Sequence, residues 1–316
     1  MPGNYSADTA LTDARETDIV IPIMGTTGAG KSSFINSLLR QVGNRRRFEV
    51  GSALASCTNH LESVVIEGQT NNWRRIGGHR IVIVDTPGFD DTYTGDYEIL
   101  QRIARWLEES YRKKMILGGV IYLHNISHNR FTGTARRNLD IFNHLCGKSA
   151  LDKVVLVTSH WGTAPEPNFD KREGELKKVY WNTMMDGGAR VERLVAGEEQ
   201  ASAWNIVRSI LERVETRAVQ QSRSEGLQIQ RELVNQRKSL PQTHAARELR
   251  AQLEQMIEAQ TQMRADGVAG NAEAMAQLEE QEAQVRQMAR QIENLKVSFL
   301  ERVARWANLV VGGGVR

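Results

Sequence analysis

Short apolar runs bounded by glycine, proline or polar residues alternate along this chain with longer stretches of helical spacing. The runs cover residues 19–24, 61–67, 80–84, 119–123, 153–158 and 191–194. Each is four to seven residues long, and those over 19–24, 80–84, 119–123 and 153–158 are nearly continuous in apolar character, which predicts strands buried on both faces, as in a parallel sheet. Between them, residues 31–40, 96–114, 134–146, 169–185 and 201 to about 219 carry the spacing of helices. The alternation predicts an α/β fold, a mostly parallel sheet with helices on both faces. Only residues 68–79 separate the second and third runs, too few for a helical crossover, so these two strands are expected to pair antiparallel. In such sheets ligands bind at the carboxyl ends of the strands.

Beyond about residue 215 the pattern changes. Gln, Glu, Arg and Ala dominate, Pro241 is the single proline, and Phe299 and Trp306 are the only Phe, Tyr or Trp residues. Apolar positions fall at Leu249, Leu253, Met256 and Met263, then, past Gly267 and Gly270, at Leu278, Val285, Met288, Ile292, Leu295, Phe299 and Trp306. Steps of three, four and seven line up one seam of coiled-coil type. Two readings stay open: an antiparallel hairpin packed on its own domain, or arms that each meet the same arm of another molecule.

Composition narrows the picture. A chain of 316 residues with 40% hydrophobic content can bury one sizeable core and still supply a second region. Its 41 basic and 38 acidic residues nearly cancel, which argues against a nucleic-acid partner. Cys57 and Cys146 are too few for a disulfide framework and are expected as reduced thiols. Residues 1–17 lack the apolar core of a secretion signal, and no run approaches about 18 uninterrupted apolar residues. The expectation is a cytoplasmic protein. Phe299, Val303 and Trp306 can share a helix face, for which packing on another helix is preferred over membrane association.

The first run leads into Gly25-Thr26-Thr27-Gly28-Ala29-Gly30-Lys31-Ser32-Ser33, the pattern GxxxxGK[ST] between a strand and a helix. Its glycines let successive backbone N–H groups turn inward onto a phosphate, Lys31 adds a point charge to the β/γ oxygens, and the following helix points its positive end at the same anion. Ser32 is the expected ligand of Mg²⁺. The third run ends in Asp85-Thr86-Pro87-Gly88-Phe89, where Asp85 can hold Mg²⁺ through water and the Gly88 N–H can meet the γ-phosphate. Between the two motifs, Thr58 is the candidate switch residue, its hydroxyl completing the Mg²⁺ shell; the alternative is a turn residue bonded to local backbone. Lys31, Thr58 and Gly88 thus form the expected catalytic set, and Ser32, Thr58 and Asp85 the metal set.

The order of P-loop, loop threonine and DTPG-Phe resembles the septin-like GTPases, close to the GTPases of immunity-associated proteins and the chloroplast import-receptor GTPases. Residues 119–130 and 180–189 look most like uncharacterised fungal G-domain proteins. The resemblance spans about residues 18–213 and implies a slow, self-associating GTP switch. The polar start of the chain, the span of the resemblance and the change of pattern past residue 215 together divide the chain into a disordered N-terminal tail (1–17), a P-loop G domain (18–214), a helical, coiled-coil-like region (215–308) and a flexible C-terminal tail (309–316). GTP and GDP with Mg²⁺ are the implied ligands, a homodimer the implied assembly, and the helical region a surface for an effector.

Two departures bear on mechanism. Where Ras-type GTPases carry a water-orienting glutamine, this chain has Phe89, so intrinsic turnover should be very slow. The missing group would come from a second protomer or from His124, His128 or Arg130, which are weighted toward structural or surface roles. At the base-reading position the family's aspartate is replaced by Trp161; its ring or that of His160 is left to stack on a base. Alternatives therefore remain: a P-loop NTPase of relaxed or adenine specificity, or a nucleotide-binding scaffold with little turnover.

Overall fold

All six apolar runs contribute strands to one sheet, and in the central strands alternate side chains find a helical layer on either side, whereas the edge strand over 190–193 stays partly exposed. A computed structural model of the chain describes residues 8–50, 61–89, 95–162, 168–216, 225–266 and 285–296. The strands are β1 (Ile19–Gly25), β2 (Glu62–Ile66), β3 (Ile81–Asp85), β4 (Ile116–Leu117), β5 (Val120–Asn125), β6 (Val154–Ser159) and β7 (Arg190–Arg193). Their spatial order is β2-β3-β1-β5-β6-β7, and the two-residue β4, too short for any sequence signal, pairs with the start of β1. All neighbours run parallel except β2 and β3, which pair antiparallel from Glu62 opposite Asp85 to Ile66 opposite Ile81, as the short connection requires.

Odd and even positions of β1 part company. Ile19, Ile21 and Ile23 pack with Phe34, Ile35, Leu38 and Leu39 of α2 (Lys31–Gln41) and with Ile206, Val207 and Ile210 of α7 (Glu199–Thr216). Val20 and Met24 face the opposite layer, built from α3 (Asp96–Arg112) and α4 (Gly133–Cys146). Full burial of each such side chain contributes about 1.5–3 kcal/mol, so the period-two pattern fixes register: a one-residue slip would exchange the layers.

The stretch expected as one helix over 169–185 divides. Helix α5 (Phe169–Glu175) runs into a π-helical turn (Leu176–Tyr180), and α6 (Asn182–Asp186) follows. Trp181, fully buried, donates its backbone N–H to the Leu176 carbonyl, five residues back, which widens the turn and seats the indole in the core. Cys146 is also fully buried, and burial pushes its thiol far above the ordinary range, so it is an inert core residue. Cys57 lies outside the described residues.

Residues 8–17 correct the expectation of a disordered tail over 1–17. Helix α1 (Thr9–Thr12) buries Ala10 and Leu11, the Asp8 carboxylate accepts from the Ser63 hydroxyl and from Trp106 Nε1 at 3.0 Å, and Asp13 pairs with Arg80. Arg80 in turn grips the fully buried Asp18 with two hydrogen bonds of 2.8 Å, a bidentate pair joining the starts of β1 and β3. These partners lie far away in sequence, which is why polarity alone suggested a loose tail.

After α7 the chain turns back onto α3 and α4. Helix α8 (Gln228–Gln230) and the turn Arg231–Asn235 lead to α9 (His244–Asp266), and residues 285–295 form α10. The buried Leu249, Leu253, Met288 and Leu295 belong to the same apolar cluster as Phe142 and Leu107, with Val285 and Ile292 packed at its margin. The seam positions among the described residues, Leu249, Leu253, Met256, Val285, Met288, Ile292 and Leu295, therefore pack against this chain's own helices. Gln230 Nε2 donates to the Leu107 carbonyl at 2.9 Å, and the fully buried Glu232 accepts from Lys238 Nζ at 2.6 Å and the His244 backbone N–H at 3.0 Å. At the start of α3, Gln291 Oε1 of α10 accepts the Tyr97 backbone N–H at 3.1 Å. Leu278, Phe299 and Trp306 lie outside the described residues. No helix among the described residues is long and apolar enough to cross a membrane.

Candidate nucleotide site

Parallel register brings Gly25, Asp85, Asn125 and Ser159 to one edge of the sheet, because Ile23 lies opposite Asp85, Gly25 opposite Leu123, and Asn125 opposite Ser159. The loop from Gly25 to Gly30 bends over this edge and enters α2. Gly25 and Gly30 have φ of 141° and 86°, conformations that side-chain-bearing residues rarely adopt. A Cβ at Gly25 would lie 2.3 Å from the Leu123 carbonyl oxygen, so the loop leaves β1 in direct backbone contact with β5.

Lys31 is buried, with 7% of its surface exposed, and its Nζ donates to the Gly25 carbonyl at 3.1 Å and the Thr26 carbonyl at 2.9 Å. The ammonium is thus held across the mouth of its own loop. Ser32 Oγ donates to Asp85 Oδ2 at 2.6 Å, joining the first turn of α2 to the end of β3. Asp85 is fully buried and its other oxygen, Oδ1, has no hydrogen-bond partner among the described residues. Burial pushes its pKa up to about 6, against the opposing pull of Lys31 and of the Ser32 hydroxyl.

A hydroxyl and a carboxylate with an unsatisfied buried oxygen are hard oxygen donors of the kind Mg²⁺ takes. Ser32 and Asp85 would hold the ion, which supplies charge neutralisation to the β/γ oxygens of a bound triphosphate. The buried carboxylate has a measurable consequence. Because its folded-state pKa lies above the unfolded value of about 3.8, the folded protein keeps a proton there that the unfolded chain has released. The stability this confers is present below about pH 4 and is lost as pH rises through about 6, on the order of 3 kcal/mol. Asp85→Asn is expected to flatten that pH dependence and to raise the nucleotide-free protein's urea midpoint at pH 7; an unchanged profile would remove Asp85 as its source.

The loop after β6 is tied to the P-loop by a residue the sequence reading missed. Ser159 Oγ lies 2.8 Å from the Ala29 carbonyl, to which it donates, and 2.9 Å from His160 Nδ1. His160 takes φ of 65° and sets its ring against Gly30, where a Cβ would lie 3.1 Å from Cε1. Burial first, and His128 second, lower its pKa, so the ring is neutral near pH 7. A terminal strand serine carries no signal of its own; only the β5–β6 register aims it at the loop. Asn125 is similar, its Nδ2 lying 3.5 Å from the Gly28 carbonyl. Thr86, inside the DTPG motif, donates Oγ1 to the Ile23 carbonyl at 2.8 Å and so braces β3 against β1.

Residues 19–178, a little over half of the chain, match the AIG1 family. The chain belongs to this family. Its site is the P-loop of a GTP-binding G domain. Over 140 residues it is 30% identical to Immune-associated nucleotide-binding protein 7 of Arabidopsis thaliana, an overlap of 43% of this chain and 39% of that one. The chain thus spans about two fifths of that relative's length. Among solved structures, Toc33 from Arabidopsis thaliana in complex with GDP and Mg²⁺ has 21% identity and a TM-score of 0.45, over 63% of this chain and 85% of that one. Elongation factor SelB from Methanococcus maripaludis has 13% identity and a TM-score of 0.37, over 61% and 34%.

Of the residues expected in this AIG1-family site, Gly25, Thr26, Thr27, Gly28, Ala29, Gly30, Lys31, Ser32 and Ser33 form the loop and the first turn of α2, and Asp85 and His160 meet them. Gly88 is buried just past β3. Trp161 is turned elsewhere: its Nε1 faces the Thr158 carbonyl at 3.2 Å, its ring meets Phe169 edge-on at 5.8 Å, and the Arg193 guanidinium covers it at 4.1 Å. Glu173 and Asp170 hold that guanidinium in place. Thr58 lies outside the described residues.

Proposed function

We propose that this AIG1-family G domain is a cytoplasmic guanine-nucleotide switch that binds GTP and GDP with Mg²⁺ and hydrolyses GTP slowly, in a manner dependent on self-association. The observation that carries the reading is the convergence of Lys31, Ser32 and the half-satisfied Asp85 at the mouth of the glycine loop. Slow intrinsic turnover is favoured by Phe89, which follows Gly88 but is buried in the apolar cluster and so offers nothing to hold an attacking water. Thr58 would complete the metal shell and sense the γ-phosphate. A conformational output is favoured by the contact of α10 with the start of α3, since Phe89 and Met288 share one cluster with Ile99 and Leu100. The helical region over 215–308 would then present its surface to an effector when the triphosphate repositions Gly88.

Single-turnover hydrolysis measured over a hundredfold range of protein concentration tests this. Turnover per molecule is expected to rise with concentration; a flat dependence rejects the role of self-association, and triphosphate that survives for many hours at every concentration leaves a nucleotide-binding scaffold.

A second reading, a P-loop NTPase of relaxed or adenine specificity, has its own support. No carboxylate stands at Trp161, whose side chain packs against Phe169 and Arg193 instead. Competition of GTP against ATP in the presence of Mg²⁺ separates the two readings.

A further inference from the structure

β7 ends the sheet with an open outer edge. At the opposite end, β2 is met by the segment around α1, where Asp8 accepts from the Ser63 hydroxyl. On β7 the backbone directions follow from one bond: the Leu194 N–H donates to the Thr158 carbonyl of β6 at 2.8 Å. Backbone groups alternate sides along a strand, so those of Arg190 and Glu192 also turn toward β6, and those of Val191 and Arg193 turn away from it. Among the described residues no hydrogen bond meets them there. Such a row of unpaired N–H and C=O groups is a template for another strand. The charges on this edge are also unmatched. Arg190 and Glu192 lie beside Val155 and Val157, on the face that packs on α7. Arg190 is half-buried, its Nε has no hydrogen-bond partner, and Arg213 lines the same small cleft. Burial first, and Arg213 second, hold its guanidinium below the ordinary range, which Glu192 and Glu212 only partly offset. Glu192 accepts no hydrogen bond through its carboxylate among the described residues.

We propose that the open edge of β7 pairs antiparallel with the same edge of a second copy of this chain, about a two-fold axis at Val191, so that one sheet runs through both protomers. Val191 then exchanges both of its outward backbone bonds with its counterpart, and the Arg193 N–H meets the partner's Ala189 carbonyl, where a methyl side chain leaves room. In this register Arg190 lies opposite the partner's Glu192, and the two-fold axis repeats the pair, with about 4.5–5.5 Å between Cβ atoms. Charge selects the register as well. An axis at Glu192 would set two carboxylates against each other, and one at Arg193 two guanidiniums. Because the edge carries the complement of its own charge pattern, a copy of this chain fits it better than an unrelated strand. β5 and β6 stand between β7 and the P-loop strand β1, so the pairing needs no nucleotide and does not rest on the function proposed above.

Sedimentation velocity of the full chain without nucleotide, from about 2 to about 200 µM, tests this. An edge of four residues makes a small interface, so a reversible monomer–dimer equilibrium with Kd on the order of 50 µM is expected. Arg190→Glu and Glu192→Arg each set like charges across the pair, and each should weaken the dimer at least about tenfold. An equimolar mixture of the two variants should restore association, because every cross-strand pair is then again of opposite sign. The unaltered chain gives a second readout that depends on no variant. Hydrogen exchange at the Val191 and Arg193 amides should slow about threefold between the lowest and highest concentrations, while the Glu192 amide, turned toward β6, stays unchanged. Saturation with Mg²⁺ and GDP should leave the dimer as it is, whether or not the P-loop assignment holds. A monomer at every concentration, a dimer indifferent to both charge reversals, a mixture that fails to associate although both variants keep their far-UV circular dichroism, or association that appears only with nucleotide would each overturn the proposal.

Discussion

Lys31→Ala is expected to weaken binding of Mg²⁺-triphosphate by at least about a hundredfold, the consequence of losing charge-assisted contacts worth about 1.5–3 kcal/mol each. The sequence assigns this lysine a charge toward phosphate, and the structure adds a second role. Its ammonium is buried and bonded to the Gly25 and Thr26 carbonyls, so in the nucleotide-free protein it already shapes the loop that phosphate would enter. Its removal also takes away the main counter-charge to Asp85, whose pKa should climb further above about 6. The fold should survive, because the apolar layers on both faces of the sheet are untouched. Titration calorimetry with GTP and GDP, alongside a thermal melt, checks both halves: retained affinity contradicts the assignment of the loop, and a collapsed melt would make the binding result uninformative about charge.

Gly25→Ala carries the largest expected effect on stability. Two penalties coincide: φ of 141° is foreign to a residue with a side chain, and the new Cβ would sit 2.3 Å from the Leu123 carbonyl oxygen. That oxygen belongs to the backbone of β5 and cannot yield without parting the central strands. A loss of more than about 4 kcal/mol is expected, a large share of the 5–15 kcal/mol that holds a typical domain together. Gly28 provides the control. It also has positive φ, 74°, but a Cβ there meets nothing within 4 Å, so Gly28→Ala should cost only about 1–2 kcal/mol. Urea denaturation of the two variants side by side decides the matter; similar midpoints would show that the close approach of β1 to β5 is not what requires the glycine.

Much of the site was legible because its chemistry is local. GxxxxGK[ST] places the phosphate loop, the lysine and the metal hydroxyl within nine residues, and DTPG ends a strand that a simple apolar run already marks. What stayed hidden depends on residues far apart in sequence. Ser159 reaches Ala29 across 130 positions, and nothing in Thr-Ser-His-Trp distinguishes that hydroxyl from a surface one. Trp161 looked free to stack on a base until Arg193 and Phe169 were found against it. The N-terminal segment reads as polar and loose, yet Asp8 and Asp13 find Ser63, Trp106 and Arg80 on neighbouring elements.

By itself the sequence determined the alternation of strands and helices, the one antiparallel pair, and the motif that names the family, since periodicity, loop length and glycine placement act over a few residues. Only the tertiary structure decided that Lys31 is buried, that Asp85 keeps one oxygen unsatisfied among the described residues, and that the described part of the C-terminal seam closes on α3 and α4. Those features are set by which distant side chains the sheet register brings within a few ångströms, and a linear pattern does not encode distance.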